Sequence, residues 1–318
     1  MTQPTISDAI HRCYKALTTL KIPRGQIDAE ITYILDYILR VSPDCRFSKP
    51  EQPVDPALWP KLLDCLNKRV TQRMPIQYIV GKAHFYGLVL TVTPDTLIPR
   101  PETERLIEIV TQWLRERLNL QRIQNNQLET AANNKKPYRI LDLGTGSGAI
   151  ALAIAHKLKA LIAENQVEIY ATDCSEKALA VAQKNKEDLQ LPVQFLPAGH
   201  LFEPVEQQQL PCFDSIVSNP PYIDSSLKST LSPEVLKHEP VIALFPPEKP
   251  EKKDALYFYQ EIAKKLKIHL CTDGLLALEI GDTMAEAVQG CFKASGYKNV
   301  QCLTDYSQRP RVVTVESL

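Results

Sequence analysis

The 318-residue chain lacks a net charge: 37 lysines and arginines balance 37 aspartates and glutamates. A neutral chain exerts no global pull on nucleic acid or acidic membranes, which leaves only local patches for such contacts. No apolar run approaches the roughly 18 residues of a membrane span. Residues 1–10 lack a basic start followed by an apolar block, so no signal peptide and no membrane attachment are expected. None of the eight cysteines (Cys13, Cys45, Cys65, Cys174, Cys212, Cys271, Cys291, Cys302) forms a C-x-x-C pair, which argues against zinc. The expectation is reduced thiols, mostly buried as small apolar groups, in a cytoplasmic protein. The six histidines show no ligand spacing, so no metal is expected. Internal repeats are absent, as is any long low-complexity region.

What is present divides into three stretches. Residues 1–76 carry helical stripes: Ile10, Tyr14 and Leu17; then Ile27, Ile31, Ile34, Leu35 and Ile38, ended by Ser42-Pro43; then Leu58, Leu62, Leu63, Leu66 and Val70 behind an Asp55-Pro56 start. They read as a small helical domain. Residues 77–100 alternate and carry glycines, which predicts a hairpin linker. Residues 101–318 hold the rest. A helix begins at Pro101-Glu102, where proline suits the first position and carboxylates suit the dipole, and runs to about Leu118. A Gln/Asn-rich stretch from Asn119 to Lys136 reads as a surface loop or frayed helix end. Beyond it strands and helices alternate: strands over 139–143, 167–172, 193–196, 213–217, 274–280 and 311–315, with helices from Ala149 and Ser175 and near 257–266 and 285–294. That alternation predicts an α/β domain with a mostly parallel, doubly wound sheet.

Two features carry chemistry. The strand Ile140-Leu141-Asp142-Leu143 runs into Gly144-Thr145-Gly146-Ser147-Gly148 and an apolar helix. Glycines let the backbone turn sharply and approach a ligand. The turn is shorter than a dinucleotide G-x-G-x-x-G and lacks the Lys-Ser/Thr of a phosphate-binding loop. Asp142 orients the loop or meets a cationic amino-acid tail. Asp173 closes the next strand, where a carboxylate accepts hydrogen bonds from a ribose diol, or else caps the helix from Ser175.

The second feature is Asn219-Pro220-Pro221-Tyr222, at the end of a predicted strand. Ligands bind at that edge in open α/β sheets. The tetrapeptide has no group titrating near neutrality, which argues against general-base catalysis. It offers the Asn219 side-chain carbonyl, the Pro220 backbone carbonyl and the Tyr222 ring. The prolines fix φ and remove donors. Such a rigid, acceptor-rich turn suits an –NH₂ group with a delocalised lone pair. Aligning that nitrogen against a sulfonium methyl supplies catalysis by orientation.

On these residues the chain resembles the protein-(glutamine-N5) methyltransferases of peptide chain release factors, the PrmC/HemK family. Further stretches carry the resemblance: Pro75-Ile76-Gln77-Tyr78-Ile79-Val80-Gly81, Leu97-Ile98-Pro99-Arg100-Pro101-Glu102-Thr103-Glu104 and Leu278-Glu279-Ile280-Gly281. N-P-P-Y alone is shared with DNA adenine and some RNA methyltransferases; the I-P-R-P-E-T-E stretch with a helical N-terminal domain is more specific. The resemblance implies a Rossmann-like class I SAM-dependent methyltransferase domain behind a small N-terminal helical domain. It implies S-adenosyl-L-methionine as donor and the glutamine of a release factor's Gly-Gly-Gln loop as acceptor, with no stable nucleic acid. A monomer is expected. Carried over by position, Gly144, Thr145, Gly146, Ser147, Gly148, Asp173, Leu201 and Asn219 meet the donor. Asn219, Pro220, Pro221 and Tyr222 hold the glutamine amide, Asn219, Pro220 and Tyr222 as the catalytic set, and Arg100 lines the substrate entrance.

Two departures stand out. His200 replaces a usual acidic residue facing adenine, where a neutral imidazole nitrogen still accepts one hydrogen bond. Phe245 to Lys253 replaces a glycine-containing turn with a Pro- and Lys/Glu-rich loop. Two other functions compete. A nucleic-acid amino methyltransferase would use the same turn for a flipped base, with a basic surface or recognition insertion. A non-catalytic adaptor would bind donor or release factor only.

Overall fold

The structure, a computed structural model, describes residues 3–127, 136–247 and 255–317, and no side chains over 121–127. Of the polar stretch 119–136, residues 119–127 continue the helix that starts at Glu104, past its expected end near Leu118, and 128–135 lie outside the described residues, as does most of the Pro- and Lys/Glu-rich loop. The chain forms two compact units. The first comprises Met1–Lys82, Val92–Pro94 and Thr230–Glu239; the second comprises Ala83–Thr91, Asp95–Ser229 and Pro240–Leu318.

The first unit is helical. Its core gathers Ile6, Cys13, Leu17, Ile27, Ile31, Ile34, Leu35, Leu62, Cys65 and Leu66. The helix Ile6–Leu17 opens with a capping box: Thr5 accepts from the Asp8 N–H and Asp8 accepts from the Thr5 N–H. The third long helix starts at Trp59, later than the Asp55-Pro56 signal, because Asp55 caps a preceding turn by accepting from the Ala57 N–H. Its inward face uses Cys65 and Arg69, while Leu63 stays exposed. Arg69 is buried and donates to Glu30 at 2.7 and 2.9 Å and to Glu234 at 2.9 Å. Glu234 lies on the short helix Pro233–His238, part of this unit although it follows in sequence most of the second.

From Ala83 on, the second unit contains a hairpin, β1 (Lys82–Phe85) and β2 (Leu88–Thr91), beginning later than the alternation suggests because Ile76–Val80 is a helical turn of the first unit. Among the described residues its main sheet has seven strands: β3 (Tyr138–Leu143), β4 (Val167–Thr172), β5 (Gln194–Phe195), β6 (Phe213–Ser218), β7 (Leu270–Glu279), β8 (Asn299–Thr304) and β9 (Pro310–Glu316). Their order is β5-β4-β3-β6-β7-β9-β8. The first five in that order are parallel; β9 runs antiparallel to β7 and β8 antiparallel to β9. The chain starts this sheet at its middle and winds outward first one way, then the other. The reversal falls between β3 and β6, where such sheets open a crevice beyond the carboxyl ends of the strands.

Helices cover both faces. One core packs Leu106, Val110 and Leu114 of the helix Glu104–Gln127 with Ile150 and Ile154 of the helix Ala149–Lys157. The other packs Tyr259, Ile262 and Leu266 with Val288 and Phe292. Among the described residues no helix is long and apolar enough to cross a membrane.

One expectation is corrected. Cys212 and Cys271 are not independent thiols but a disulfide, with Cα atoms 5.2 Å apart. Cys212 precedes β6 and Cys271 lies in β7, whose pairing sets Phe213 against Leu270. Strand register brings together two cysteines that linear spacing leaves unrelated.

Candidate functional site

The site is built by the pairing of β3 with β6. Leu143 and Ser218 are register partners at the last residues of their strands, and the Ser218 hydroxyl donates to the Leu143 carbonyl at 2.6 Å. The next residues, Gly144 and Asn219, therefore emerge side by side at the crevice. One cavity wall there includes Gly144, Gly146, Asp173, Leu201, Asn219 and Pro221. A second, largely apolar cavity of about 530 Å³ adjoins it, sharing Cys174, His200, Ile242 and Phe258.

The glycine turn uses its glycines in two ways. Gly144 (φ +72°) and Gly146 (φ +57°) face open space: a Cβ on either would meet nothing within 4 Å. Their backbones are thus open to a ligand. Gly148 (φ +83°) faces the interior, where a Cβ would stand 2.9 Å from Leu152 Cδ1 and 3.2 Å from Ala182 Cβ. Thr145 and Ser147 are buried. Thr145, Ser147 and Gly148 thus stand behind the cavity wall rather than on it, since the turn needs inward anchors to hold its shape.

Asp142 supplies one such anchor. It accepts from the Thr145 hydroxyl at 2.7 Å and from the Ala151 N–H at 3.2 Å, while its Oδ1 has no protein partner. Burial pushes this carboxyl up to about 7. Asp173 accepts from the Gly146 N–H at 2.8 Å and the Ser175 N–H at 2.9 Å. The cap of the following helix is Ser175 itself, accepting from the Ala178 N–H. Asp173 is not the cap; the Cys174 N–H and thiol also donate to it, and it lies in the cavity wall. Burial raises its pKa, opposed by those N–H donors.

His200 also lines the wall, its ring 6.1 and 5.9 Å from those of Tyr257 and Phe258. Position 200 thus joins an aromatic group. Leu201, at φ +49°, turns the chain there.

The Asn219 turn rests on groups that sequence reasoning passed over. The Asn219 amide donates to the Thr103 hydroxyl at 3.2 Å, and that hydroxyl donates to Glu279 at 2.6 Å. The Tyr222 hydroxyl donates to the other Glu279 oxygen at 3.3 Å. Thr103 and Glu279 are buried. Burial pushes Glu279 up to about 7, and burial with the Glu279 charge raises the Tyr222 phenol, partly offset by Arg311 and Arg100. Pro220 is buried and Tyr222 half-buried, both behind the cavity wall with Pro221 in front. Arg100 is half-buried, outside the lining of this cavity. Thr103 falls on the turn Pro101–Thr103 and Glu279 ends β7, so two residues far apart in sequence meet only in the fold.

A doubly wound sheet, a ligand-facing glycine turn, a strand-end carboxylate and a rigid acceptor turn define a Rossmann-like class I methyltransferase. The comparisons narrow the class. The family model described as methyltransferase small domain matches residues 125–240, and the PrmC N-terminal domain matches residues 8–81. The release factor glutamine methyltransferase of Clostridium acetobutylicum is 32% identical over 310 residues, 97% of this chain and 97% of that protein. That of Flavobacterium psychrophilum is 34% identical over 248 residues, 78% of this chain and 77% of that protein. The chain belongs to the release factor glutamine methyltransferase family. Among solved structures, the hMettl16 catalytic domain in complex with MAT2A 3′UTR hairpin 6 shares the fold, with TM-score 0.51, 15% identity and 84% coverage of each chain.

Proposed function

We propose that this protein transfers a methyl group from S-adenosyl-L-methionine to the side-chain amide nitrogen of the glutamine in the Gly-Gly-Gln motif of peptide chain release factors. The observation that carries the reading is the emergence of Asn219 beside Gly144 at the sheet's switch point, its amide nitrogen held from behind.

The residues present fit the donor. Gly144 and Gly146 present open backbone, Asp173 sets a carboxylate acceptor in the cavity wall for a ribose diol, and Leu201, His200 and Phe258 offer flat or apolar contact for adenine. When bound, the sulfonium supplies an electrophilic methyl to the amide nitrogen, whose proton then leaves to solvent. The chain's own part is orientation. Asn219 Oδ1 and the Pro220 carbonyl accept the two amide hydrogens, Tyr222 and the prolines keep the turn rigid, and no side chain of the tetrapeptide needs to take a proton. Val241 and Ile242, 62% and 57% exposed, line the adjoining cavity and leave an apolar surface suited to a protein substrate.

The test is label transfer from S-adenosyl-L-methionine to a release factor, to its Gln→Ala variant in the Gly-Gly-Gln loop, and separately to DNA and RNA. Label on the release factor but not on the variant is expected. Label on nucleic acid alone would replace this reading with amine methylation of a base.

A further inference from the structure

The three polar groups behind Asn219 (Thr103, Glu279 and the Tyr222 hydroxyl) form a chain whose hydrogens can be assigned. A carboxylate only accepts, and a threonine hydroxyl has one hydrogen to donate. At 2.6 Å from Glu279, that hydrogen is committed to the carboxylate. The Thr103 oxygen is then left only to accept, so the Asn219 atom facing it at 3.2 Å must be the nitrogen. Asn219 Oδ1 is thereby turned away from Thr103. Without the relay the amide could flip, and an N–H would face the substrate –NH₂ in place of an acceptor.

We propose that Glu279, acting through Thr103, is a positioning residue that selects the amide orientation of Asn219, and that this selection holds only while Glu279 is ionised. The inference rests on the methyl-transfer reading. Protonated Glu279 can donate to Thr103, which frees the threonine hydrogen to donate toward Asn219 and stabilise the flipped amide. The groups facing the carboxylate are Thr103, the Tyr222 hydroxyl, Arg311 on β9 and Glu102 on the Pro101–Thr103 turn; Tyr259 donates to the Glu279 backbone carbonyl at 2.8 Å. Burial is the largest influence and Arg311 opposes it, leaving Glu279 at about 7. The tetrapeptide itself contributes no titration in that range.

Three variants separate relay from packing. Thr103→Val keeps the shape and loses the hydroxyl; Thr103→Ser keeps the hydroxyl and loses a methyl. The relay predicts that Thr103→Val lowers kcat by ~10²-fold, the scale of a misplaced reacting group, while Thr103→Ser stays near wild type. A structural role predicts the reverse order, and that order would overturn the proposal. For the native protein kcat should fall about tenfold per pH unit below the Glu279 pKa, and Glu279→Gln should flatten that acid limb. An unchanged limb in Glu279→Gln would also overturn it.

A readout without substrate or donor separates this inference from the substrate reading. With ¹⁵N-asparagine labelling, the Asn219 side-chain amide is expected to show one slowly exchanging hydrogen that Thr103→Val abolishes and Thr103→Ser retains. If that pattern holds while no release factor is methylated, the relay stands and the substrate reading falls. If the signal ignores Thr103 while methylation proceeds, the relay falls and the reading stands.

Discussion

In the proposed reading Asn219 acts by facing the right way, so its side chain is worth more to the rate than to the fold. Asn219→Ala is expected to lower methyl transfer by ~10²–10³-fold, the range for removing one oriented polar contact to a reacting group. Donor affinity, measured by calorimetry, should stay within a few-fold; retained transfer would remove Asn219 from the amide-holding role. Asp142 is the opposite case. Its carboxyl holds a proton more tightly folded than unfolded, burial pushing it up to about 7 from the ordinary carboxylate range of about 4. The folded state therefore binds the extra proton between about pH 4 and 7, and this group's contribution to stability falls as pH rises through that window and levels off above it. Asp142→Asn should remove that slope, on the order of 1 kcal/mol per pH unit, in denaturant melts at pH 5 and pH 8. An identical pH dependence in the two proteins would show that the buried carboxyl is not the source. Asn219 and Asp173 were legible in the sequence because strand ends announce themselves locally. Thr103 and Glu279 were not, because their pairing exists only once the helix Glu104–Gln127 and β7 pack in one unit.

At the scale of elements, the parallel strands were readable because burial on both faces leaves near-continuous apolar runs, as in Ile140-Leu141 and Ile216-Val217. The edge strand β8 was not, since Asn299, Gln301 and Thr304 are exposed and break the pattern. β7 begins at Leu270, before the expected start, because exposed Thr272 and Asp273 interrupt its apolar signal. In the helical unit the missed element is ionic. Arg69 is 1% exposed and serves Glu30 and Glu234 at once. Arg69→Ala would strip buried Glu30 of its cation and leave Glu234 only Arg73, 2.9 Å away, so a loss of about 3–5 kcal/mol is expected in chemical denaturation. A loss under 1 kcal/mol would mean that water already screens the cluster. Arg69 was hidden because its spacing on the helix merely continues the stripe of Leu62 and Leu66.

For the whole molecule, the Cys212–Cys271 bridge closes a loop across the second unit, with a sequence separation of 59. Loop entropy alone gives such a closure about 4 kcal/mol over the open chain. The double substitution Cys212→Ser with Cys271→Ser should lower the Tm, and dithiothreitol should lower that of the native protein but not of the double variant. Equal Tm values under all four conditions would show that the two thiols are unpaired in solution.

The excursion of Thr230–Glu239 into the first unit has a consequence for how the protein is made. Chains emerge from the ribosome N-terminus first, and early domains commonly fold while later ones are still being synthesised. Here that order cannot be completed. When residue 94 has emerged the helices around Ile31 and Leu62 can gather, but Arg69 has only Glu30, and its second carboxylate is not yet translated. The helical unit is finished only after β3 to β6 and the Asn219 turn have been made, so its maturation waits on the segment that holds the proposed amide site.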